Sequence, residues 1–308
     1  MRVSVTIPLL NEEEVLPELL RRLLAVLDAI DGGPHEVVFV DDGSTDATRR
    51  LLADAAAADP RVRAVFLSRN FGHQCAVSAG LDHVSGDVVI VMDGDLQDVP
   101  EEIPHLLAVH AEGYDVVYVR RTKRSEPLLL RAAYVIFYRI AARFSSVRLP
   151  LDAGDFSLMS RRVIDTVRAA PERNRYVRGL RAWAGFRQIG VEVKRGARAG
   201  GQSKYSLVAL TRLALDGLFA FSIVPIRAAM ALGSIAMAGA MLFAGYAILV
   251  RLLGGRTPQG FTALIIAVTF LAGVNLFFLG VVGEYVGRIY EEVKHRPLYV
   301  VERIVGGR

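Results

Sequence analysis

The stretch VVIVMDGDLQDVPE, residues Val88–Glu101, decides the fold class of this chain. It opens with an apolar run rich in β-branched residues and passes into the turn-forming residues Asp93, Gly94 and Asp95. A short apolar run bounded by turn residues predicts a buried strand of a parallel sheet. Ligands of open α/β sheets bind beyond the carboxyl ends of the strands. We therefore expect the two aspartates at a ligand site.

Asp93 and Asp95 place two carboxylates at positions i and i+2 of this strand end. Hard carboxylate oxygens in an open site suit Mg²⁺ or Mn²⁺, which a substrate's phosphates also hold. Gly94 between them allows a ligand to approach the backbone closely. For the tripeptide by itself, a solvated Asp-Gly-Asp turn stays an alternative.

A second acidic strand end lies upstream, where Glu36–Val40 runs into DDGSTD, residues 41–46. Residues 44–46 are good helix N-caps and account for the second half of this run. They do not account for Asp41 and Asp42, which are expected to accept hydrogen bonds from a ribose or a base. The first unit has a similar form, because Asn11 and Glu14 make a capping-box pattern that predicts a helix beginning at Asn11.

The N-terminal part of the chain alternates strand and helix patterns, with strands near residues 2–8, 36–41, 62–67, 87–93 and 115–119. This alternation predicts a doubly wound α/β fold with a mostly parallel, Rossmann-like sheet. His73 and Trp183 are interpreted as packing residues.

The composition changes after Arg227. Ala228–Val250 and Gly260–Gly283 each run more than twenty residues without a charge, long enough to span a bilayer. Two such runs side by side predict two C-terminal transmembrane helices, with buried core helices as the alternative. Small residues within them allow close helix packing and a homo-oligomer.

Charges around these runs predict the orientation. Only Arg251 and Arg256 lie between the runs, whereas the flanks contain Arg195, Arg198, Lys204, Arg212, Arg227, Arg288, Lys294, Arg296, Arg303 and Arg308. The positive-inside rule places both ends and the large N-terminal domain on the cytoplasmic side of the cell membrane. The chain begins directly with a strand and shows no secretory signal pattern.

The net charge of +5 favours an anionic partner. A lipid phosphate and a membrane surface fit better than nucleic acid, for which the sequence contains no motif. The single cysteine, Cys75, agrees with a reducing compartment. Residues 127–145, which include Arg131, and residues 207–221 are expected to form basic amphipathic helices at a membrane interface.

Seven segments carry a resemblance to a known family. In chain order they are IPLLNEEE, DDGSTD, LSRNFGHQCAVSAGLDHVSGD, MDGDLQDVPEEIP, DAGDFSLMSRR, RYVRGLRAWAGFRQ and GQSKYS. Together they resemble the family-2 glycosyltransferases, and more narrowly the polyprenyl-phosphate glycosyltransferases. That group includes dolichol-phosphate mannose synthases and bacterial undecaprenyl-phosphate glucosyltransferases, of which the latter look closer. The chain departs from the pattern at Gly94, Val99 and Leu10, where alanine, proline and tyrosine are frequent.

The resemblance implies a GT-A catalytic domain and transfer of one sugar from a nucleotide diphosphate sugar. It implies a cation site at Asp93, Asp95 and Gln97 for Mg²⁺ or Mn²⁺, with Asp95 essential to catalysis. Nucleotide-sugar contacts are implied at Pro8, Glu12, Asp41, Asp42, Asp93, Arg198 and Lys204, the last two on a mobile lid.

The acceptor implied by the resemblance is a polyprenyl phosphate, whose phosphate binds to Arg121, Arg124 and Arg131. Asp155 is implied as a base, and we expect it to act as a positioning or partly basic carboxylate. Because a phosphomonoester is already ionised near neutral pH, it needs little help to attack. One in-line displacement inverts the anomeric centre. UDP-glucose is the first choice of donor, while GDP-mannose, a UDP-N-acetylhexosamine and a modified UDP-pentose stay open.

Two other functions compete. A processive polysaccharide synthase would carry Gln-x-x-Arg-Trp, and the nearest stretch, Arg178–Trp183, lacks the glutamine. A non-catalytic nucleotide-sugar-binding membrane scaffold would have a degenerate acidic motif. The expected organisation is a catalytic domain at 1–206, a juxtamembrane helix at 207–227, a transmembrane hairpin at 228–284 and a cytoplasmic tail at 285–308.

Overall fold

The computed structural model describes residues 1–120, 153–173, 175–193, 224–253 and 260–307. The chain divides into two compact units, Met1–Leu210 with Arg296–Arg308, and Thr211–His295. Several sequence predictions fall outside the described residues: Arg121, Arg124, Arg131, Arg198, Lys204, the two amphipathic segments and most of the loop 251–259.

The described residues of the first unit form one sheet of eight strands. They are β1 (Val3–Leu9), β2 (Glu36–Asp41), β3 (Val62–Leu67), β4 (Val88–Val91), β5 (Val116–Arg120), β6 (Ala153–Ser160), β7 (Gln188–Glu192) and β8 (Val301–Gly306). The described helices of this unit are α1 (Leu16–Asp28), α2 (Thr48–Ala58), α3 (His73–His83), α4 (Ile103–Ala111), α5 (Arg161–Ala169) and α6 (Val177–Trp183). All five strands predicted from the sequence are confirmed.

The strand order is β7-β5-β6-β4-β1-β2-β3-β8. The central strands β4, β1, β2 and β3 are parallel, and only β6 and β8 run against the others. The predicted α/β fold with a mostly parallel sheet is therefore confirmed. Because β4, β1 and β2 are parallel neighbours, their carboxyl ends open onto one edge of the sheet.

Alternation along the strands provides a core on each face of the sheet. Val37 and Phe39 join the cluster beneath α1, whereas Val38 and Val40 face the cluster that contains α3. The helix α1 buries Leu16, Leu19, Leu23 and Leu27 at helical spacing. Each sheet face is thus covered by apolar residues, as a doubly wound fold requires.

The capping-box prediction at Asn11 is wrong, since α1 begins at Leu16. Asn11 has a left-handed backbone, with φ of 56°, and binds the loop after β2 instead. Its Oδ1 accepts from Thr45 N at 2.8 Å, and its own N–H donates to Ser44 Oγ at 2.9 Å. The side chain therefore joins two loops of the sheet edge and does not cap a helix.

The strand β8 was not predicted and lies within the segment expected to be a tail. It pairs antiparallel with β3 and forms an edge of the sheet. Arg49 Nη2 binds Glu302 Oε2 at 2.6 Å, and Tyr299 Oη donates to Asp82 Oδ2 at 2.6 Å. Residues 299–306 are thereby part of the first unit.

Where the second unit is described, it consists of two long helices, α7 (Val224–Leu252) and α8 (Phe261–Val293). Within them, Ala231–Val250 and Phe270–Val293 are long and apolar enough to cross a membrane, with mean hydropathy of 1.8 and 1.6. Neither segment is buried within the protein. This agrees with the two predicted C-terminal apolar helices and disagrees with buried core helices.

Candidate functional site

Three loops meet at the carboxyl ends of β1, β2 and β4. The registers of β1 place Pro8 beside Val40 and Leu9 beside Asp41. The residues 93–98 follow β4, the other neighbour of β1. This edge therefore brings together the candidates that follow β1, β2 and β4, namely Pro8, Glu12, Asp41, Asp42, Asp93, Asp95 and Gln97.

Asp42 is buried and holds two loops together. Its carboxylate accepts from Phe71 N at 2.7 Å and from Gly72 N at 2.9 Å. Burial raises the pKa of Asp42 above its usual range in spite of these two bonds. Gly43 makes this contact feasible: its φ is +77°, and a Cβ there would lie 2.6 Å from the backbone of Arg69.

Asp41 is fully buried and is bound by its own loop. Its Oδ1 accepts from Ser44 N at 3.2 Å, and its Oδ2 lies 3.5 Å from Arg49 Nε. Arg49 also pairs with Glu302 on β8, so the C-terminal strand is linked to this strand end. In this structure Asp41 contacts protein groups, which makes it a support of the site edge.

The acidic loop after β4 is held by its own backbone. Asp93 N donates to Asp98 Oδ2 at 3.1 Å, and Gln97 N donates to Asp95 Oδ1 at 3.1 Å. Gly94 is also needed for the packing of this loop. A Cβ at this position would overlap Cδ2 of Leu9, so the glycine accommodates the packing of the loop on β1.

Asp93 carries the strongest electrostatic perturbation of the acidic loop. Burial raises the pKa of Asp93 to about 6, and the negative charges of Asp98, Asp155 and Asp95 act in the same direction. His73 Nε2 lies 3.8 Å from Asp93 Oδ1 and opposes the shift. Negative charge is thus concentrated where a divalent cation would neutralise it.

The donor set at this loop fits a cation that a substrate helps to hold. Carboxylate and amide oxygens are hard ligands. Among the described residues, no three His, Cys, Asp or Glu side chains converge to enclose a metal ion by themselves. Mg²⁺ commonly takes only one or two carboxylates and completes its shell with phosphates and water. Asp93, Asp95 and Gln97 are suited to that kind of site.

Asp155 reaches the acidic loop through an antiparallel strand. In β6, Ser157 pairs with Val91 of β4. Continuing that register by two residues puts Asp155 opposite Asp93, which agrees with the effect of Asp155 on the pKa of Asp93. The predicted catalytic carboxylate is thus brought to the predicted cation loop, although sixty-two residues separate them in the chain.

Arg178 on α6 binds Asp155. Its Nη2 lies 2.7 Å from Asp155 Oδ2, and its Nε lies 3.3 Å from Oδ1. The two side chains are 21% and 18% exposed, so the pair is largely desolvated. Burial opposes ionisation of Asp155, but Arg178, His73 and Arg181 outweigh it and hold the pKa below its usual range. Asp155 is therefore an ionised carboxylate and a weak base.

Sequence reasoning missed Arg178, Arg181 and the position of His73. His73 begins α3 and faces Asp93, so its interpretation as a packing residue is wrong. Trp183, also expected to pack, is 55% exposed. The spacing of Arg178 and Arg181 at i and i+3 was a usable signal, because it places both on one helix face.

The chain is similar in sequence to known glycosyl transferases. The profile of Glycosyl transferase family 2 matches residues 4–168. The bactoprenol glucosyl transferase of Shigella phage SfII is 39% identical over 306 residues and is matched over 98% of both chains. The undecaprenyl-phosphate 4-deoxy-4-formamido-L-arabinose transferase of Proteus mirabilis is 35% identical over 312 residues, covering 99% of this chain and 94% of its own.

Among solved structures, one similar chain is glucosyl-3-phosphoglycerate synthase from Mycobacterium tuberculosis, in complex with Mn²⁺, UDP-glucose and phosphoglyceric acid. Its TM-score is 0.47 at 23% identity, over 71% of this chain and 79% of that one.

Proposed function

The chain belongs to glycosyl transferase family 2, and from that premise we propose that it transfers one sugar to a polyprenyl phosphate. The expected donor is UDP-glucose and the expected acceptor is undecaprenyl phosphate. The product would be a polyprenyl-phosphate monosaccharide for glycosylation of the cell envelope. The observation that carries the proposal is the convergence of the acidic loop after β4 with the Asp155–Arg178 pair.

Asp93, Asp95 and Gln97 are the residues that would hold Mg²⁺ or Mn²⁺ together with the donor diphosphate. A bound cation stabilises the negative charge of the leaving diphosphate as a Lewis acid. Asp98 keeps the loop in shape by accepting from Asp93 N. Pro8, Glu12, Asp41 and Asp42 line or support the neighbouring strand ends, where the nucleoside would lie.

Asp155 would position the acceptor and would contribute little as a general base. Its pKa is held low by Arg178, so it is poorly suited to abstract a proton near neutral pH. The second ionisation of a phosphomonoester lies near pH 6, so the acceptor oxygen is already a nucleophile. One in-line attack on an α-linked nucleotide sugar would give a β-linked product. Arg121, Arg124 and Arg131 stay candidates for binding the lipid phosphate, and Arg198 and Lys204 for closing over the diphosphate.

The membrane arrangement follows from α7 and α8. Two apolar helices that are not buried in the protein suit a hairpin across a bilayer. The excess of arginine and lysine outside the loop 251–259 supports a cytoplasmic catalytic domain with both ends on the same side. We retain the domain limits 1–206, 207–227 and 228–284, with residues 285–308 on the cytoplasmic side.

The sugar is the least constrained part of the proposal. The phage relative is named as a glucosyl transferase, and the Proteus relative as a transferase of a modified pentose. A modified UDP-pentose is therefore the second candidate donor. Both names share a polyprenyl carrier, so the acceptor class is better supported than the donor.

The direct test uses membranes that contain the full chain, undecaprenyl phosphate and a panel of radiolabelled nucleotide sugars. We expect a labelled, solvent-extractable lipid from UDP-glucose. Labelling from another nucleotide sugar would change the donor and keep the reaction. A labelled polymer would favour a processive synthase, and binding of nucleotide sugar without lipid product in any combination would favour a scaffold.

A further inference from the structure

Arg181 on α6 is the largest fully buried side chain in the described part of the protein, with an exposure of 2%. Its Nε and Nη2 have no hydrogen-bond partner among the described residues. The guanidinium carbon lies 5.1 Å from the ring centroid of Tyr118. Gln188 bonds only the backbone carbonyl of Arg181. The guanidinium is therefore buried with the donors of two of its three nitrogens unsatisfied.

A second cation lies one helical turn away. Arg178 precedes Arg181 by three residues, so both project from the same side of α6. Asp155 is the carboxylate that binds Arg178 and interacts electrostatically with Arg181. Among the described residues Asp155 hydrogen-bonds Arg178, whereas Nε and Nη2 of Arg181 have no hydrogen-bonded partner. Burial and the charge of Arg178 lower the pKa of Arg181 to about 10, so it stays protonated at neutral pH.

Structural stabilisation does not account for this arrangement. Burying a charge without a paired, hydrogen-bonded counter-charge destabilises a protein. Like charges three residues apart on a helix are also unfavourable. An apolar side chain of similar length would fill the space of Arg181 at lower cost. A buried guanidinium with unpartnered N–H groups is instead what a site needs when its ligand is an anion.

We propose that Arg178 and Arg181 form an anion subsite beside Asp155 that receives a phosphoryl group of a substrate. Arg178, which is partly exposed, would contact the phosphoryl oxygens. Arg181 would act behind it as a positioning residue, supplying the second positive charge. Guanidinium groups match phosphate oxygens in paired hydrogen bonds, which suits this chemistry. The inference rests on the proposed function, whose donor and acceptor both carry phosphoryl groups.

The test measures binding, so that it does not depend on turnover. The full chain in detergent is titrated separately with UDP and with farnesyl phosphate, as wild type, Arg181→Met and Arg178→Lys. We expect a roughly 10- to 100-fold weaker affinity for one of the two ligands in Arg181→Met, because the positive charge behind the phosphoryl group is removed. Arg178→Lys keeps the charge and should lose less. Arg187→Gln, which removes an arginine stacked 4.3 Å from the Tyr114 ring, is the matched control and should bind both ligands normally.

The outcomes separate the sources of the phosphoryl group. Weaker farnesyl phosphate binding alone assigns the subsite to the acceptor, and weaker UDP binding alone assigns it to the donor diphosphate. The unfolding temperature of Arg181→Met should be unchanged or higher, because a buried unpaired charge is removed. Unchanged affinity for both ligands, or equal losses in the Arg187→Gln control, would overturn the proposal.

Two further readouts complete the test. If Arg181→Met does not fold, Arg178→Lys decides by the same titrations. In steady-state kinetics, Arg181→Met should raise the KM of the affected substrate more than it lowers kcat. A wild type that binds both phosphates but transfers no sugar would refute the proposed function and leave the subsite standing.

Discussion

Asp155→Asn separates the structural from the catalytic role of this carboxylate. The substitution leaves Arg178 facing a neutral amide, which offers one oxygen in place of two. Breaking a fully buried ion pair costs about 3–5 kcal/mol. Here the side chains are 18% and 21% exposed, and one of the two hydrogen bonds can persist. We therefore expect a loss of about 1–3 kcal/mol, which lowers the unfolding midpoint by roughly 3–10 °C.

The effect on transfer follows from the ionisation of the acceptor. A general base that removes a proton in the transition state supplies about 10²- to 10⁴-fold. A phosphate that is already ionised needs less, so Asp155→Asn should slow transfer by about 100-fold or less. The deficit should shrink as pH rises through the acceptor's second pKa, near 6, because the dianion then forms without help.

The assay combines thermal unfolding with initial rates of labelled-lipid formation between pH 5.5 and 8.5, a range set about the phosphate pKa of ~6. Asp165→Asn is the matched control, since Asp165 is 58% exposed and lies 3.7 Å from Arg168. An exposed pair of this kind contributes at most about 1 kcal/mol. A pH-independent loss beyond 10⁴-fold with both substrates bound would show an indispensable base and refute the positioning role.

Four other outcomes are expected. Asp95→Ala should abolish transfer while the protein still folds and inserts, and excess EDTA should abolish transfer by the wild type. The control Asp54→Ala, which removes an exposed carboxylate of α2, should be active. Full turnover in excess EDTA would exclude the metal. A single cysteine in the loop 251–259, in a Cys75→Ser background, should be labelled only from outside the cell, and cytoplasmic labelling would refute the two-span topology. Gly43→Ala should weaken UDP binding and lower the free energy of unfolding by about 2–4 kcal/mol, because the added Cβ would displace residues 69–72 by ~1 Å. Unchanged unfolding and unchanged UDP affinity would contradict this prediction. Burial opposes the charge of Glu36, but hydrogen bonds and Arg2 outweigh it and hold the pKa of Glu36 below 4.5, so the ionised side chain stabilises the fold above that pH and less as pH falls through the folded pKa. Glu36→Gln should therefore reduce the loss of unfolding free energy at acid pH. An equal loss in the variant and the wild type would assign the effect to other groups.

Local pattern was sufficient for the parts of the site that follow a parallel strand. Val88–Val91 and Glu36–Asp41 are recognisable because both are short, apolar and bounded by turn residues. Parallel strands that neighbour β1 bring their carboxyl ends to one edge, so the proximity of the two acidic loops followed directly. The helix start at Asn11 failed, because a capping pattern does not reveal that its side chain is taken by a loop thirty-four residues away.

The residues by themselves determined the family, the α/β class, the acidic strand ends and the two long apolar helices, because each is a property of composition or of spacing within one element. Tertiary structure alone decided which elements became neighbours. The antiparallel insertion of β6 beside β4 brings Asp155 to Asp93, and the packing of α6 gives Asp155 its guanidinium partner. It also decided the burial of Arg181 and the return of β8 to the sheet. These depend on contacts between residues far apart in the chain, and no local periodicity encodes them.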